Sequence, residues 1–245
     1  MTRIVYVNGE YVADTEARVS IFDRGFLFAD GVYELWSVLR GGLIDNEAHL
    51  ARLERSLSEL KMADAVATAD VVTIQQELIA RNNLQEGVVY LQVTRGAAER
   101  DFGFPTDAKP SLVMFTQAKS LIDSPLAQRG IAVITVPDIR WKRRDIKTVG
   151  LLAPSMAKQA ALEAGADDAW MVEDGYVTEG TSNNAYIVGE DGVLVTRHLS
   201  NEILHGITRA AVLRLCEVAQ IRVQERAFTV DEALRAREAF LTSAS

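Results

Sequence analysis

The order of the predicted strands and helices is the feature that most limits the folds open to this chain. In the first half, a β-hairpin around Asn8-Gly9 is followed by two helices and then two strands. These elements are expected at residues 3–12, 49–62, 71–81, 87–94 and 111–115. Strands and helices do not alternate regularly, so the pattern favours an α+β unit over a doubly wound parallel sheet.

The second half is richer in strands, which favours a barrel-like sheet. Asp174-Gly175 predicts a second hairpin turn. Strands are expected at residues 130–136, 169–172, 176–178, 184–188 and 193–196, and helices at residues 152–164 and 207–219. Apolar periodicity is lost near residue 118. We therefore expect an N-terminal domain at residues 1–118, a linker at 119–128 and a C-terminal β-rich domain at 129–245.

Composition and charge argue against several kinds of partner. The formal net charge of −8 gives no support for binding nucleic acid or an anionic membrane, and the basic run Trp141–Arg144 is predicted to be a solvated loop or a local charge at the substrate entry. The three histidines lie far apart, so no metal site is expected, and Cys216 is predicted to be a small core residue. No apolar run approaches the roughly 18 residues that span a bilayer, and no signal peptide precedes the first strand, so a cytoplasmic location is expected.

Two short stretches carry the chemistry. Lys147 is a single lysine within an otherwise apolar run, and a partly buried lysine readily loses its charge and becomes a nucleophile. Glu179 stands just before the small polar side chains of Thr181–Asn184. Pyridoxal 5′-phosphate (PLP) chemistry needs an amine for covalent attachment, a carboxylate at the ring nitrogen and donors around a phosphate. The chain can supply all three.

Several motifs resemble those of the fold type IV PLP enzymes, and most closely those of the D-amino acid transaminases. The likeness runs nearly from end to end, and its most specific segments are residues 23–34, 49–53 and 94–96 and the stretches around Lys147 and Glu179. It implies an α+β fold of two domains, a smaller N-terminal α/β domain and a larger C-terminal pseudo-barrel domain that carries the lysine. It also implies a homodimer.

The resemblance assigns roles to the two central residues. Lys147 is similar to the family lysine that binds the cofactor and, once released, moves the proton at the substrate Cα. Glu179 is similar to the acid that pairs with the pyridine nitrogen, where a carboxylate keeps that nitrogen protonated.

A phosphate site is expected from a cation and a helix N-terminus. Arg52 resembles the family's phosphate arginine, and Gly206, Ile207 and Thr208 begin a predicted final helix whose free N–H groups suit an anion. Thr181 and Ser182 are further candidates, and Leu204 is similar to the aliphatic residue that packs on the cofactor ring.

Substrate recognition is where the sequence departs from its relatives. The D-amino acid transaminases resembled here hold the substrate carboxylate with an Arg-x-His element and a tyrosine. Arg100 and Tyr33 are in place, but Phe102 stands where the histidine is expected. Arg100 still suits a carboxylate, whereas Phe102 removes one donor and adds an apolar wall.

The favoured function is transamination from a D-alanine-like D-amino acid to a 2-oxo acid such as 2-oxoglutarate or pyruvate. Four alternatives stay open: a branched-chain L-amino acid transaminase, an (R)-selective amine transaminase, aminodeoxychorismate lyase and a PLP-binding protein without turnover. They differ in donor handedness, in whether an amino group is transferred and in whether the cofactor responds to any amino compound.

Overall fold

The computed structural model describes residues 2–244, which divide into two compact units. The first contains the chain up to Ser124 together with Ile146–Gly150, and the second contains Pro125–Asp145 and the chain from Leu151 to Ala244. The segment that carries Lys147 therefore packs with the first unit, although it follows part of the second in sequence. The linker predicted at residues 119–128 and the two domains that flank it stay predictions.

The first unit is built on one antiparallel sheet in the order β2-β1-β6-β5-β3-β4. Its strands are β1 (Ile4–Val7), β2 (Glu10–Ala13), β3 (Gly31–Leu39), β4 (Gly42–Leu43), β5 (Glu86–Thr94) and β6 (Ser111–Ala118). Its helices are α1 (Arg24–Phe28), α2 (Asn46–Glu59) and α3 (Thr68–Arg81).

Alternate side chains of strand β3 face the core of this unit and the opposite surface of the sheet. The alternating residues Val32, Glu34, Trp36 and Val38 are fully buried, while the residues between them are partly exposed. Leucines of α2 and apolar residues of α3 complete the core cluster. Each such aliphatic side chain contributes about 1.5–3 kcal/mol when fully buried, so the core holds the helices against one face and leaves the other face for chemistry.

The second unit contains two smaller sheets, with strand orders β12-β11-β10-β13 and β7-β8-β9. Its strands are β7 (Val133–Pro137), β8 (Asp168–Glu173), β9 (Tyr176–Gly180), β10 (Asn184–Val188), β11 (Leu194–Thr196), β12 (Val223–Glu225) and β13 (Glu238–Thr242). Its helices are α4 (Pro125–Arg129), α5 (Leu152–Glu163), α6 (Ile207–Val218) and α7 (Val230–Arg235). Buried side chains from β8 to β11 pack around Phe228, which places the main core between the sheets.

Two local predictions need correction, and one strand was not predicted. Helix α2 begins at Asn46 rather than His49, directly after Asp45 in the left-handed region (φ 51°). Helix α6 is not the last helix, because α7 follows it, and a capping box at the start of α7 satisfies the N–H groups of Thr229 and Glu232. Strand β3, which the sequence pattern did not predict, lies between β5 and the short edge strand β4 of the first sheet.

Candidate active site

Lys147 lies beside strand β3 in the first unit. The Tyr33 N–H donates to the Lys147 carbonyl (2.9 Å), and the Val149 N–H donates to the Gly31 carbonyl (3.1 Å). These bonds attach the segment to the start of β3 through an isolated antiparallel bridge between Val32 and Thr148. The half-buried Lys147 amine lies 4.0 Å from the centroid of the Tyr33 ring, so two predicted site residues are in direct contact.

An aromatic row extends from Tyr33 across the face of the sheet away from the core. Tyr33 stacks on Tyr90 (centroids 5.6 Å apart), and Tyr90 stacks on Phe115 (4.7 Å). Burial, and after it the neighbouring Tyr33, raises the pKa of Tyr90 to about 12. The row is therefore a neutral surface next to the amine at physiological pH.

A buried charge cluster lies on the other side of β3. Glu34 accepts hydrogen bonds from Arg52 Nε (2.7 Å) and Nη2 (2.9 Å), and its Oε2 lies 2.9 Å from His49 Nδ1. Burial by itself raises the pKa of Glu34, but the Arg52 charge, the hydrogen bonds and the Lys147 charge outweigh it and lower the pKa to about 2. Arg52, predicted to bind phosphate, is thus held rigidly on α2 by a carboxylate, and its phosphate role stays a prediction.

Arg100 and Phe102 lie on an exposed loop after β5. The Arg100 guanidinium carbon is 5.4 Å from the Phe28 ring centroid and 5.7 Å from that of Phe102. Phe102 is 79% exposed and packs edge-on against Phe28. The neighbouring Asp101 accepts a hydrogen bond from Arg24 through its backbone carbonyl and from the Gly103 N–H through its carboxylate. Both bonds stabilise the conformation of the loop.

Glu179 lies at the end of β9 in the second unit and is 4% exposed. Its Oε2 accepts hydrogen bonds from the Leu204 N–H (3.1 Å) and from Asn184 Nδ2 (3.2 Å), and its Oε1 accepts from Arg140 Nη1. Burial raises the pKa of the Glu179 carboxyl group, and the Arg140 charge and hydrogen bond oppose that rise. Leu204 therefore contributes its backbone to this site, besides any contact its side chain makes.

Arg140 is itself held by Asp138, which lies two residues before it in the chain. Arg140 Nε donates to Asp138 Oδ1 (3.0 Å) and Nη2 to Oδ2 (2.6 Å), and Thr178 Oγ1 also donates to Oδ2 (2.6 Å). The side chains of Asp138, Arg140 and Glu179 are 0%, 12% and 5% exposed. The three side chains therefore form one continuous, largely buried network of charge-assisted hydrogen bonds.

Part of the basic run at residues 141–144 is not a solvated loop. Lys142 is exposed, as expected, but Arg144 is buried. Arg144 Nη1 contacts Glu173 (2.6 Å) and Asp138 (3.3 Å), and these acidic partners explain why burial of its charge is tolerated.

The turn between β9 and β10 is fixed by Asp168. Thr181 Oγ1 donates to Asp168 Oδ1 (2.5 Å), and Asn183 Nδ2 donates to Oδ2 (2.8 Å). Ser182, between them, is exposed. In this structure Thr181 thus stabilises the turn that follows Glu179, and phosphate binding by Thr181 and Ser182 stays a prediction.

Helix α6 begins next to Glu179. Gly206 is its N-cap residue, and a β-carbon at Gly206 would lie 2.0 Å from Asn184 Oδ1, so glycine permits the close approach of the same Asn184 that contacts Glu179. Ile207 and Thr208 form the first turn, whose N–H groups have no partner within the helix. Thr208 Oγ1 donates to the Ser243 carbonyl (2.9 Å). The second unit thus joins a buried carboxylate to a helix N-terminus.

Comparison with known proteins decides the family. The family described as amino-transferase class IV matches residues 31–245. The chain belongs to the class IV aminotransferases. It is therefore a PLP-dependent aminotransferase, and the predicted family, α+β fold type and cofactor are confirmed.

Two curated relatives resemble this aminotransferase over nearly its whole length. D-alanine aminotransferase of Bacillus licheniformis is 40% identical over 241 residues, which cover 98% of this chain and 84% of that protein. D-alanine aminotransferase of Staphylococcus aureus (strain MSSA476) is 38% identical over 244 residues, with 98% and 85% covered. The crystal structure of the Escherichia coli branched-chain amino acid aminotransferase superimposes with a TM-score of 0.92 at 20% identity, over 100% of this chain and 84% of that one. At that identity the likeness shows the fold alone.

The sequence analysis of the aminotransferase missed four residues at or next to the site. Arg140 and Asn184 contact Glu179, and Glu34 and His49 form the cluster with Arg52. The only sequence signal for Arg140 was its spacing from Asp138 after a predicted strand.

Among the described residues no helix has the length and apolar character needed to cross a bilayer.

Proposed function

We propose that this aminotransferase moves an amino group from a D-amino acid of the D-alanine type to a 2-oxo acid such as 2-oxoglutarate or pyruvate. The observation that carries the proposal is the likeness, over 98% of the chain, to D-alanine aminotransferases. The retained Arg100 and Tyr33 support it, because together they offer a guanidinium and a phenol to a substrate carboxylate. Phe102 offers an apolar wall and no hydrogen bond.

The first unit supplies the reacting amine in this proposal. Bound PLP supplies an electron-accepting ring that makes the donor's Cα proton removable and that carries the amino group between substrates. Lys147 Nζ holds the cofactor and, when released, takes and returns the proton at the substrate Cα. Lys147 Nζ lies 4.0 Å from the centroid of the Tyr33 ring, so the amine is directly beside a side chain assigned to the substrate.

Glu179 fits the pyridine nitrogen on charge as well as on chemistry. Glu179 is a buried carboxylate, and a protonated ring nitrogen would give it a second cationic partner beside Arg140. We assign the phosphate to the first turn of α6 at Ile207 and Thr208 and to Arg52, with Thr181 and Ser182 as further candidates. A helix N-terminus and a guanidinium are both suited to a dianion.

A single-turnover experiment tests the proposed donor. The PLP-loaded protein is mixed in separate samples with D-alanine, L-leucine and (R)-1-phenylethylamine, then denatured, and the released cofactor is weighed by mass spectrometry. We expect D-alanine to produce pyridoxamine phosphate at least about 10-fold faster than the other two, because a site that pairs with a carboxylate discriminates strongly against misplaced or missing groups.

Each other outcome identifies an alternative. Conversion by L-leucine alone indicates a branched-chain L-amino acid transaminase, and conversion by the amine alone indicates an (R)-selective enzyme. Product formed from an amino donor while the cofactor stays PLP indicates a lyase. A bound cofactor that no donor converts indicates a protein without turnover. A cytoplasmic location stays a prediction.

We further propose that two copies of the chain associate. The first unit exposes a group of large apolar side chains on two segments, residues 21–26 and 102–104, and Arg24 of the first segment donates to the Asp101 carbonyl just before the second. Ile21, Phe26 and Phe102 are 70%, 75% and 79% exposed. Exposed apolar surface of this kind is characteristic of an interface.

Light scattering during gel filtration tests this association. We expect a mass twice the 26.9 kDa of one chain and a shift to the single-chain mass when Phe26 is replaced by aspartate. Leu234→Asp is the matched control, because Leu234 is 79% exposed but lies on α7. A single-chain mass for the unmodified protein, or an equal effect of both substitutions, contradicts the proposal.

A further inference from the structure

Arg140 is the cationic side chain that contacts Glu179, and its own position is fixed from the opposite side. Two of its nitrogens are engaged by the two carboxylate oxygens of Asp138, and the third, Nη1, contacts Glu179. A planar guanidinium bound at two points cannot rotate about its axis without breaking both bonds. Asp138 therefore fixes the direction of Nη1, which contacts Glu179 Oε1.

Asp138 does not need Arg140 as its sole partner. Its Oδ2 also accepts from Thr178 Oγ1 (2.6 Å) and lies 3.3 Å from Arg144 Nη1. An arginine whose role was only to neutralise Asp138 would duplicate Arg144. The contact that distinguishes Arg140 from Arg144 is the one with Glu179.

Glu179 depends on that contact for its charge. Its other two donors, the Leu204 N–H and the Asn184 amide, are neutral, and the charged groups nearby are Arg140, which favours ionisation, and Asp138, which opposes it. Burial at 4% exposure disfavours the carboxylate form. Removing the guanidinium would raise the pKa of Glu179 further, which favours the neutral carboxyl group, and a neutral group could not neutralise a protonated ring nitrogen.

We infer that Arg140 is a positioning residue, which Asp138 clamps so that it keeps Glu179 ionised and directed toward the cofactor's ring nitrogen. The inference rests on the proposed role of Glu179. Arg140 itself does not touch the reacting atoms in this scheme, and it acts through the carboxylate.

The first test measures Glu179 in the cofactor-free protein. The titration midpoint of Glu179 is followed by ¹³C NMR of side-chain carboxyl groups, and the resonance is assigned by its loss in Glu179→Gln. We expect Arg140→Gln to raise the midpoint by at least about one pH unit, since a charged hydrogen-bond partner is removed from a buried acid. Arg143→Gln is the control, because Arg143 lies in the same segment and pairs with buried Asp145. An unchanged midpoint in Arg140→Gln overturns the inference.

The second test uses the PLP-loaded enzyme and a double-mutant comparison. We expect Arg140→Gln to lower kcat about 10- to 100-fold with KM changed by less than about 3-fold, and to move the acidic limb of the pH profile upward. In the Glu179→Gln background the same substitution should change kcat by less than about 2-fold, because residues that act through one another are not additive. An equal loss in both backgrounds overturns the inference.

The two proposals fail in different ways. If Glu179→Gln keeps nearly full kcat, the proposed role of Glu179 is wrong, whatever Arg140 does. If Glu179→Gln is impaired but Arg140→Gln is not, only the inference about Arg140 is wrong. Should Arg140→Gln not fold, Arg140→Lys keeps the charge but loses the two-point clamp, and we expect a smaller upward shift of the Glu179 midpoint. No shift in that variant overturns the inference equally.

Discussion

Replacing Lys147 with alanine is expected to abolish transamination, with a fall in kcat of at least about 10⁴-fold, because both covalent attachment of the cofactor and proton transfer at the substrate Cα depend on its amine. Lys147 Nζ lies 4.0 Å from the Tyr33 ring centroid, and alanine cannot reach this position. The rate of pyruvate formation from D-alanine and 2-oxoglutarate measures the loss. Added methylamine should restore a small part of the rate by supplying a diffusible base.

Chemical trapping tests the same residue without relying on turnover. Borohydride treatment of the PLP-loaded protein, followed by peptide mass spectrometry, should place the cofactor on the peptide that contains Lys147. Lys142→Ala is the matched control, since Lys142 lies in the preceding loop with its side chain 80% exposed, and it should keep both label and rate. A label on another lysine, or normal kcat in Lys147→Ala, contradicts the assignment.

Replacing Glu34 with glutamine is expected to lower the free energy of unfolding at pH 7 by about 3 kcal/mol. The pKa of Glu34 is about 2 in the folded protein against an ordinary 4.5, and each unit corresponds to about 1.4 kcal/mol. Because the folded pKa is the lower one, this stability is fully present above pH 4.5 and is lost as the pH falls toward 2. The variant should therefore lose less stability than the unmodified protein between pH 5 and 2.

Urea unfolding of the cofactor-free protein, followed by tryptophan fluorescence, measures this difference. Glu77→Gln is a suitable control, because the exposed pair of Glu77 and Arg81 should contribute less than about 1 kcal/mol. Parallel stability curves for Glu34→Gln and the unmodified protein over pH 2 to 5 would show that the charge of Glu34 is not what stabilises the cluster with Arg52 and His49.

Local signals in the sequence predicted much of the fold. The Asn8-Gly9 hairpin, the pairing around Asp174-Gly175 and the two long helices of the first unit all occur, since turn chemistry and apolar spacing act over a few residues. Strand β3 escaped prediction for a physical reason. Its buried face carries Glu34 between Val32 and Trp36, so the alternation of polar and apolar residues is broken by a charge that only Arg52 and His49, in another element, can neutralise.

The candidate site shows the same division. Family resemblance pointed to Lys147, Tyr33 and Glu179, and the structure brings the first two together. Arg140 and Asn184 could not be predicted as partners of Glu179, because a contact between β9, β10 and the loop after β7 exists only once the sheets have formed. The burial of Arg144 was missed for the same reason, since its partners lie on other segments.

Tyr33 and Glu34 are consecutive residues that face opposite sides of one strand. Strand β3 pairs with β5 over nine residues, from Gly31 with Thr94 to Leu39 with Glu86. A slip of one residue would exchange the two sides, and would set a carboxylate beside Lys147 and a phenol in the core. The long pairing thus keeps Tyr33 on the surface beside Lys147 and Glu34 in the core. A substitution at Tyr33 therefore acts on the surface beside Lys147, whereas one at Glu34 acts on the buried cluster with Arg52 and His49.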